Sequence, residues 1–479
     1  MKKIIFLLLS ITINLSLFSH PWKPNHYVII DTDGGIDDMR AISMLLASPD
    51  VRVLAITVSP GTLNADSSYS KVKSLLKSLH HEGLPVGINR RSSFISPDYP
   101  VALRTSWGIY SGADTKNANE SIRLLEEVLS IEKSKVSLIC LGSMSTAALA
   151  FNEIRSFRDE VKEIIWSGKG VDDKNGFNYS IDRSSAGKIL NGDLPVKAVI
   201  GPDIKYFYDS DMLKALSLVS GSYSAKIADF FKSGSVKDHG YSFEVNDEAV
   251  AVFLHYPSIF INEAGKGYSF CPSEKIPQFR ESMLTILAGE TVARNQVIKD
   301  FPVDPSFYFD DVEPNVDKII LKHGRDEWVS GVIANELHRH LGTFAIIGVK
   351  MGIRAREYFN TGVDEFRVVS NAGSIPPMSC MNDGLQVSTG ATPGHGLLTV
   401  VNKNPAIPSS EFTYMNRTIR VTLKPEITEK ISNELKEINY VYGLDSNIYW
   451  ELVRKNTIKY WLDLDRHEIF EIEELQTSF

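Results

Sequence analysis

The segment that most constrains the fold is Asp31-Thr32-Asp33-Gly34-Gly35-Ile36-Asp37-Asp38, which sets four acids at the exit of the apolar run Tyr27-Val28-Ile29-Ile30. Met39 to Leu46 follows with helical spacing, so the unit reads as strand, glycine turn and helix. Asp37 and Asp38 then open the helix, where its dipole and free N–H groups favour negative charge, while Gly34 and Gly35 let the backbone approach a ligand. Acids so crowded repel one another and need a counter-charge. A divalent cation supplies it, and the hard oxygen donors suit Ca2+ or Mg2+ rather than Zn2+. The alternative is a solvated acidic helix cap without an ion.

Composition narrows the partners. A net charge of -8 leaves no electrostatic footprint for nucleic acid or anionic lipid. Three cysteines, Cys140, Cys271 and Cys380, allow at most one disulfide, so the chain is not a cystine-stapled one. Met1-Lys2-Lys3 and the apolar stretch Ile4 to Phe18 read as a secretory signal peptide over residues 1–19, with the mature chain starting near His20 to Trp22. That stretch is shorter than the about 20 apolar residues of a membrane span. The expected location is therefore exported, periplasmic or secreted, without stable membrane insertion.

From Tyr27 to Ile200, β-branched runs alternate with helical ones: Val53–Val58 then Ser68–Leu79, Val136–Cys140 then Ser145–Phe151, Val161–Trp166 then Ser184–Leu190, and Val196–Ile200. This predicts a doubly wound, mainly parallel α/β sheet, with ligand sites beyond the strand ends. The first domain is expected over 26–323, closing after a Pro- and Asp-rich stretch from Phe301 to Pro314. A second, α+β domain is expected over 328–479: a helical stretch Trp328 to Phe359 with close-packing glycines Gly342, Gly348 and Gly352, strands at Phe366–Ser370, Gly396–Asn402 and Thr418–Leu423, and a charged helical tail.

Two uses of Asp-x-Asp after a strand compete. In the haloacid dehalogenase type of phosphotransferase the first acid is a nucleophile; Asp31-Thr32-Asp33-Gly34 fits, but Gly35 stands where that family has a hydroxyl, and the Asp37-Asp38 pair has no use there. The full motif resembles the Asp-x-Asp-Pro-Gly-x-Asp-Asp of the inosine-uridine nucleoside hydrolase family, with Gly34 for Pro. Ile56-Thr57-Val58 with Gly61, Val161 to Gly168, Phe177-Asn178 with Asp182, and Asn246-Asp247-Glu248-Ala249 resemble further segments of that family, the last its His-Asp-Pro-x-Ala. The resemblance implies an N-ribohydrolase: Asp33, Asp38 and Asp247 with the Leu141 carbonyl as Ca2+ ligands, Asp33 as the base that takes a proton from water, Asp37 and Asn178 on the ribose, and Asn246 at the catalytic position beside the leaving base. Its implied partner is a small riboside. The oligomeric state, a homo-oligomer included, stays open.

The chain also departs from that family. Thr62 stands where an asparagine follows the second-loop glycine, with Asn64 two residues on as the substitute ribose group; Gly176 stands in place of a glutamate before Phe-Asn; and Asn246 replaces a histidine. The metal half of the site is kept while the sugar and base half is altered, which points to a changed substrate. Trp107, Tyr110, Trp166 and Tyr179 can either stack on a base or pack in the core. The competing reading is a non-catalytic metal- or cofactor-binding protein with a degenerate hydrolase domain.

In the second domain, Glu336-Leu337-His338-Arg339-His340-Leu341-Gly342 and Ser379-Cys380-Met381-Asn382-Asp383-Gly384-Leu385-Gln386, with Thr389-Gly390-Ala391-Thr392, form a second constellation. His338, His340 and Cys380 are sound ligands for Zn2+ or another transition metal. The alternative is solvated histidines beside a structural cysteine. These segments are similar to the FmdE-like family, named after a subunit encoded with formylmethanofuran dehydrogenase, and the resemblance implies a metal-associated domain. Many members carry Cys-Pro after the second histidine, where this chain has Leu341-Gly342.

Overall fold

A computed structural model describes residues 24–109, 115–171, 174–204, 206–219, 221–233, 243–262, 267–291, 297–298 and 300–476. The expected signal peptide, 1–19, and Tyr110 lie outside the described residues. Nine strands form the first sheet: β1 His26–Thr32, β2 Val51–Val58, β3 Val86–Ile88, β4 Asn119–Glu120, β5 Val136–Cys140, β6 Val161–Ser167, β7 Val196–Ile200, β8 Ile261–Asn262 and β9 Tyr268–Phe270. Their order is β4-β3-β2-β1-β5-β6-β7-β9-β8, parallel throughout except between β8 and β9. Every residue of β2 and β5 is buried, the mark of strands covered on both faces. Val28 and Ile30 join one core and Ile29 the other, as strand alternation requires.

From β1 the chain winds outward to β4, then returns to the other edge of β1 as β5. The carboxyl ends of β1 and β5 therefore flank the switch point, where open α/β sheets place their ligands. Helix α1, Ile36–Ala47, leaves this edge from within the acid motif, with Asp37 and Asp38 in its first turn. Helix α2, Phe177–Ile181, follows β6, and helix α3, Glu248–His255, packs on α1 in the same core.

The second unit has helices α4 Arg325–His338, α5 Thr343–Phe359, α6 Met381–Thr389, α7 Pro425–Tyr442 and α8 Asn447–Asp463. Its strands are β10 Arg367–Ser370, β11 Leu398–Val400, β12 Ser409–Tyr414, β13 Arg417–Leu423 and β14 Phe470–Gln476, ordered β11-β10-β12-β13-β14 with only β10 and β11 parallel. The glycine-spaced stretch does allow close packing: a Cβ on Gly348 would strike the Met381 backbone, and one on Gly352 the Ser388 side chain.

The helical stretch Trp328 to Phe359 is interrupted at its first glycine: Arg339 in the left-handed region (φ 69°) ends α4 before Gly342 starts α5. Two expectations change. The tail is helical only to Asp463. Its last segment alternates Phe470 and Ile472 with acids, and pairs across a register shift as β14 with β13, where Glu474 meets Arg417 and Glu473 meets Arg420. Strand β12 went unread because Ser409-Ser410-Glu411 hides its alternation. Finally, Val312, Val316 and Ile319, assigned by sequence to the first domain, share a core with Trp328, Ile346 and Trp461 of the second.

Polar contacts seal the two units. Arg52, buried in β2, donates from Nε to Glu365 at 2.9 Å and also pairs with that carboxylate through Nη2. His81 Nδ1 meets the Glu357 carbonyl at 2.6 Å, and the His80 ring stacks on His467 at 3.5 Å. Because Arg52→Ala strands a half-buried carboxylate, it is expected to cost about 3 kcal/mol in urea unfolding; a loss below about 1 kcal/mol would show that the seam contributes little.

Candidate metal and active site

The four acids of the motif divide by where the backbone aims them. Asp31, still on β1, points into the sheet and accepts from Thr57 Oγ1 at 2.6 Å and Ser59 Oγ at 3.1 Å; burial pushes its pKa up to about 7. The turn beyond it needs Gly34 at φ 81°, held where Ser68 Oγ donates to the Asp33 carbonyl at 2.8 Å. Asp33 is 1 % exposed and lies between Gly61 and Gly142, neither of which has room for a Cβ. Its Oδ1 has no hydrogen-bond partner. Burial first, then the charges of Asp38 and Asp37, holds its pKa well above the usual carboxylate value, while a bond from Thr62 pulls the other way.

Carboxylate oxygens of Asp37, Asp38 and Asp247 lie within 4.8 Å of one another, the only such group of ligand atoms among the described residues. Asp38 is fixed by the Thr32 hydroxyl and by the Asp33 amide at 3.1 Å. Asp247 arrives from the far end of the domain as the residue capping α3. Burial raises the pKa of both, and the charges of Asp37 and Asp38 raise that of Asp247 further. The nearby cation Arg40 is engaged by Glu248, so it leaves this charge unbalanced. All-oxygen donors, three of them raised in pKa by burial, and an unpartnered Asp33 oxygen fit a hard divalent cation. The expected trio was Asp33, Asp38 and Asp247. Asp37 takes the third place in the converging group, and Asp33 adjoins it.

The remaining candidates are placed as follows. Leu141 follows β5, next to the Gly142 that abuts Asp33; its carbonyl accepts from Asn178 Nδ2 at 2.7 Å and keeps a second lone pair. Asn178 also donates to the Ser167 carbonyl at 3.2 Å, so it ties the ends of β5 and β6. Asn246 Nδ2 is 3.4 Å from Asp37 Oδ2. Asn64 is spent elsewhere: its oxygen caps a helix at Ser67 N, 2.9 Å away, and its amide donates to Asp98. Gly176 has a backbone reason to lack a side chain, since a Cβ there would strike the Lys169 carbonyl. Trp107 and Trp166 are core residues, the latter donating to the Gly142 carbonyl at 2.9 Å. The ties from Thr32, Thr62 and Ser68 were not legible, because hydroxyl residues near a turn are too common to single out.

In the second unit, His338 ends α4 and its Nδ1 bonds Asp383 Oδ2 at 2.7 Å. Asp383 first, and Cys380 beside it, raise the His338 pKa to about 9. The His340 ring is 4.2 Å from that of His338 and 5.1 Å from that of Trp450. His338, His340 and Cys380 do not form a converging ligand group of the kind the three aspartates form. The left-handed turn at Arg339 takes His340 off the helix, and Asp383 takes Nδ1 of His338 while its buried Nε2 has no hydrogen-bond partner, so the structure adds Asp383 to the expected set of His338, His340 and Cys380.

Comparison with known proteins gives two family matches: inosine-uridine preferring nucleoside hydrolase over residues 28–320, and FmdE, of the molybdenum formylmethanofuran dehydrogenase operon, over 337–468. The chain belongs to the inosine-uridine preferring nucleoside hydrolase family. It is a hydrolase acting on N-glycosyl compounds, joined to an FmdE-like domain. The pyrimidine-specific ribonucleoside hydrolase RihA of Salmonella schwarzengrund is 24% identical over 49% of this chain and 80% of its own length. The inosine-uridine preferring nucleoside hydrolase of Leishmania major is 22% identical over 49% of this chain and 81% of its own. A solved inosine-uridine preferring nucleoside hydrolase from Bacillus anthracis superposes at TM-score 0.43 and 13% identity, covering 55% of this chain and 99% of that one.

The nucleoside hydrolase site makes stability depend on pH in a definite direction. In the unfolded chain Asp31 loses its proton near 3.8, whereas in the fold it keeps it up to about 7; Asp33, Asp38 and Asp247 shift the same way. Between those limits the folded state binds more protons, so the metal-free protein loses stability as pH rises. A divalent cation relieves the repulsion and competes with protons. Chelation is thus expected to lower Tm more at about pH 7.5 than at about pH 5 in thermal melts, and an equal effect at both would contradict the cation site.

Proposed function

We propose that this chain is an exported, Ca2+-dependent N-ribohydrolase that uses water to cleave the N-glycosidic bond of a nucleoside or a related riboside. The observation that carries the reading is the unpartnered, buried Asp33 oxygen beside the Asp37, Asp38 and Asp247 group at the sheet's switch point. Asp38 and Asp247, with Asp33 and the Leu141 carbonyl, are the residues that would hold the ion. When bound, Ca2+ supplies the positive charge that lowers the pKa of a water molecule.

Within that arrangement Asp33 Oδ1 accepts the proton of the attacking water. The negative charge of the carboxylate cluster stabilises the oxocarbenium-like state in which the sugar's C1′ gains positive charge as the C–N bond breaks. Asp37, the most accessible of the three converging acids, binds ribose hydroxyls, and Asn178 keeps the Leu141 carbonyl in line. Asn246, held near Asp37, faces the leaving base in place of a histidine. With Asn64 committed to a helix cap and Gly176 without room for a side chain, the grip on the sugar rests on fewer groups, which supports a substrate other than the commonest nucleosides.

Chelator-treated protein is expected to release reducing sugar from at least one of inosine, uridine and nicotinamide riboside only after CaCl2 is restored, with Asp33→Asn lowering the rate by about 10²- to 10⁴-fold. All three substrates intact at saturating Ca2+, with zinc or iron retained by the protein, would favour the non-catalytic binding reading. Export is supported by Lys2-Lys3 and the apolar stretch Ile4 to Phe18. N-terminal sequencing of the exported protein is expected to begin near His20 to Trp22; an intact Met1 would contradict it.

A further inference from the structure

The converging carboxylates come from two helices, Asp37 and Asp38 from the first turn of α1 and Asp247 from the start of α3. Between those helices lies a buried ion pair that the proposed chemistry does not use. Arg40, on α1 two residues after Asp38, donates from Nε to Glu248, next to Asp247 and 208 positions away; the two side chains are 1 % and 0 % exposed. Arg40 Nη2 also donates to the Glu244 carbonyl at 3.0 Å, so one guanidinium grips the segment 244–248 at both ends. Asn246 and Asp247 lie between the two grips. Tyr208 OH donates to the same Glu248 oxygen at 2.6 Å, and its ring lies 4.9 Å from the guanidinium carbon.

Glu248 stands at the first helical position of α3, where the His-Asp-Pro-x-Ala pattern has proline. Proline there fixes φ and prepares the helix start; glutamate leaves that backbone free. The ion pair is not built for stability alone: Arg40 Nη1 and Glu248 Oε2 are buried without partners, and desolvating two charges that are incompletely hydrogen-bonded gives little net gain. We infer that the Arg40–Glu248 pair is a positioning clasp that sets Asp247, and Asn246 before it, against Asp37 and Asp38, doing through side chains what proline does through the backbone. The inference rests on the proposed cation site.

The test uses the full chain and Tb3+ as the probe, read by its luminescence rather than by turnover. Arg40→Met/Glu248→Leu removes both buried charges. Its Tm in chelator is expected to match or exceed that of the unmodified protein, while its Tb3+ Kd rises about 10- to 100-fold, as for loss of groups that orient metal ligands. Arg40→Met/Glu248→Pro is expected to recover most of that affinity, because proline fixes the same helix start. A Tb3+ Kd in the Leu variant equal to that of the unmodified protein, or no recovery in the Pro variant, overturns the clasp. Should neither double variant fold, Arg40→Lys keeps the charge and loses the grip on Glu244; weaker Tb3+ binding supports the clasp, and unchanged binding overturns it. Failure of the unmodified protein to bind Tb3+ would instead defeat the cation site, and the clasp with it.

Discussion

Mutual repulsion among buried carboxylates is the constraint from which this structure is best understood. Asp33, Asp38 and Asp247 are each no more than 3 % exposed, and Asp37 stands beside them. Burial alone would drive such acids to stay protonated. A cation at their centre would reverse that preference, and on the proposed reading it would also supply the charge that makes water reactive near neutral pH. The supporting structure serves this meeting. The switch point brings the ends of β1 and β5 side by side, glycines at 61 and 142 leave room for the Asp33 carboxylate, and α3 delivers Asp247.

The sugar and base side is organised differently. Its expected gripping groups are either committed to the protein's own backbone, as Asn64 is, or excluded by it, as at Gly176. The FmdE-like unit is fastened to the hydrolase through Arg52, at the amino end of β2, with Glu365, and through His80 and His81 ahead of β3, so the seam holds the two units together without entering the aspartate cluster at the carboxyl ends. Within that unit, the His338–Asp383 pair beside Cys380 is a second polar centre, distinct in chemistry from the all-oxygen one.

Much of the first domain was legible because its signals are local. Parallel strands buried on both faces read as unbroken apolar runs, and the acid motif declares its own turn through Gly34. What could not be read depends on long-range geometry. Spacing alone does not tell that Asp37, in the first turn of α1, joins Asp38 and Asp247 in the converging group while Asp33, in the turn before it, stands beside them. Likewise, the i, i+2 spacing of the histidines does not show that a left-handed residue between them turns His340 off the helix and leaves its ring 4.2 Å from that of His338. Strand β12 was missed because it opens on the polar but buried Ser409 and Ser410, and β14 was taken as helix because glutamates crowd it; pairing with β13 outweighs local propensity in both.

The most direct test of the account is a crystal structure of the protein grown with Ca2+, examined for anomalous scattering at the switch point. The account predicts one ion, with oxygens of Asp33, Asp38 and Asp247 and the Leu141 carbonyl at about 2.3–2.6 Å. An ion held without Asp247, or none at that position in saturating Ca2+, would contradict it.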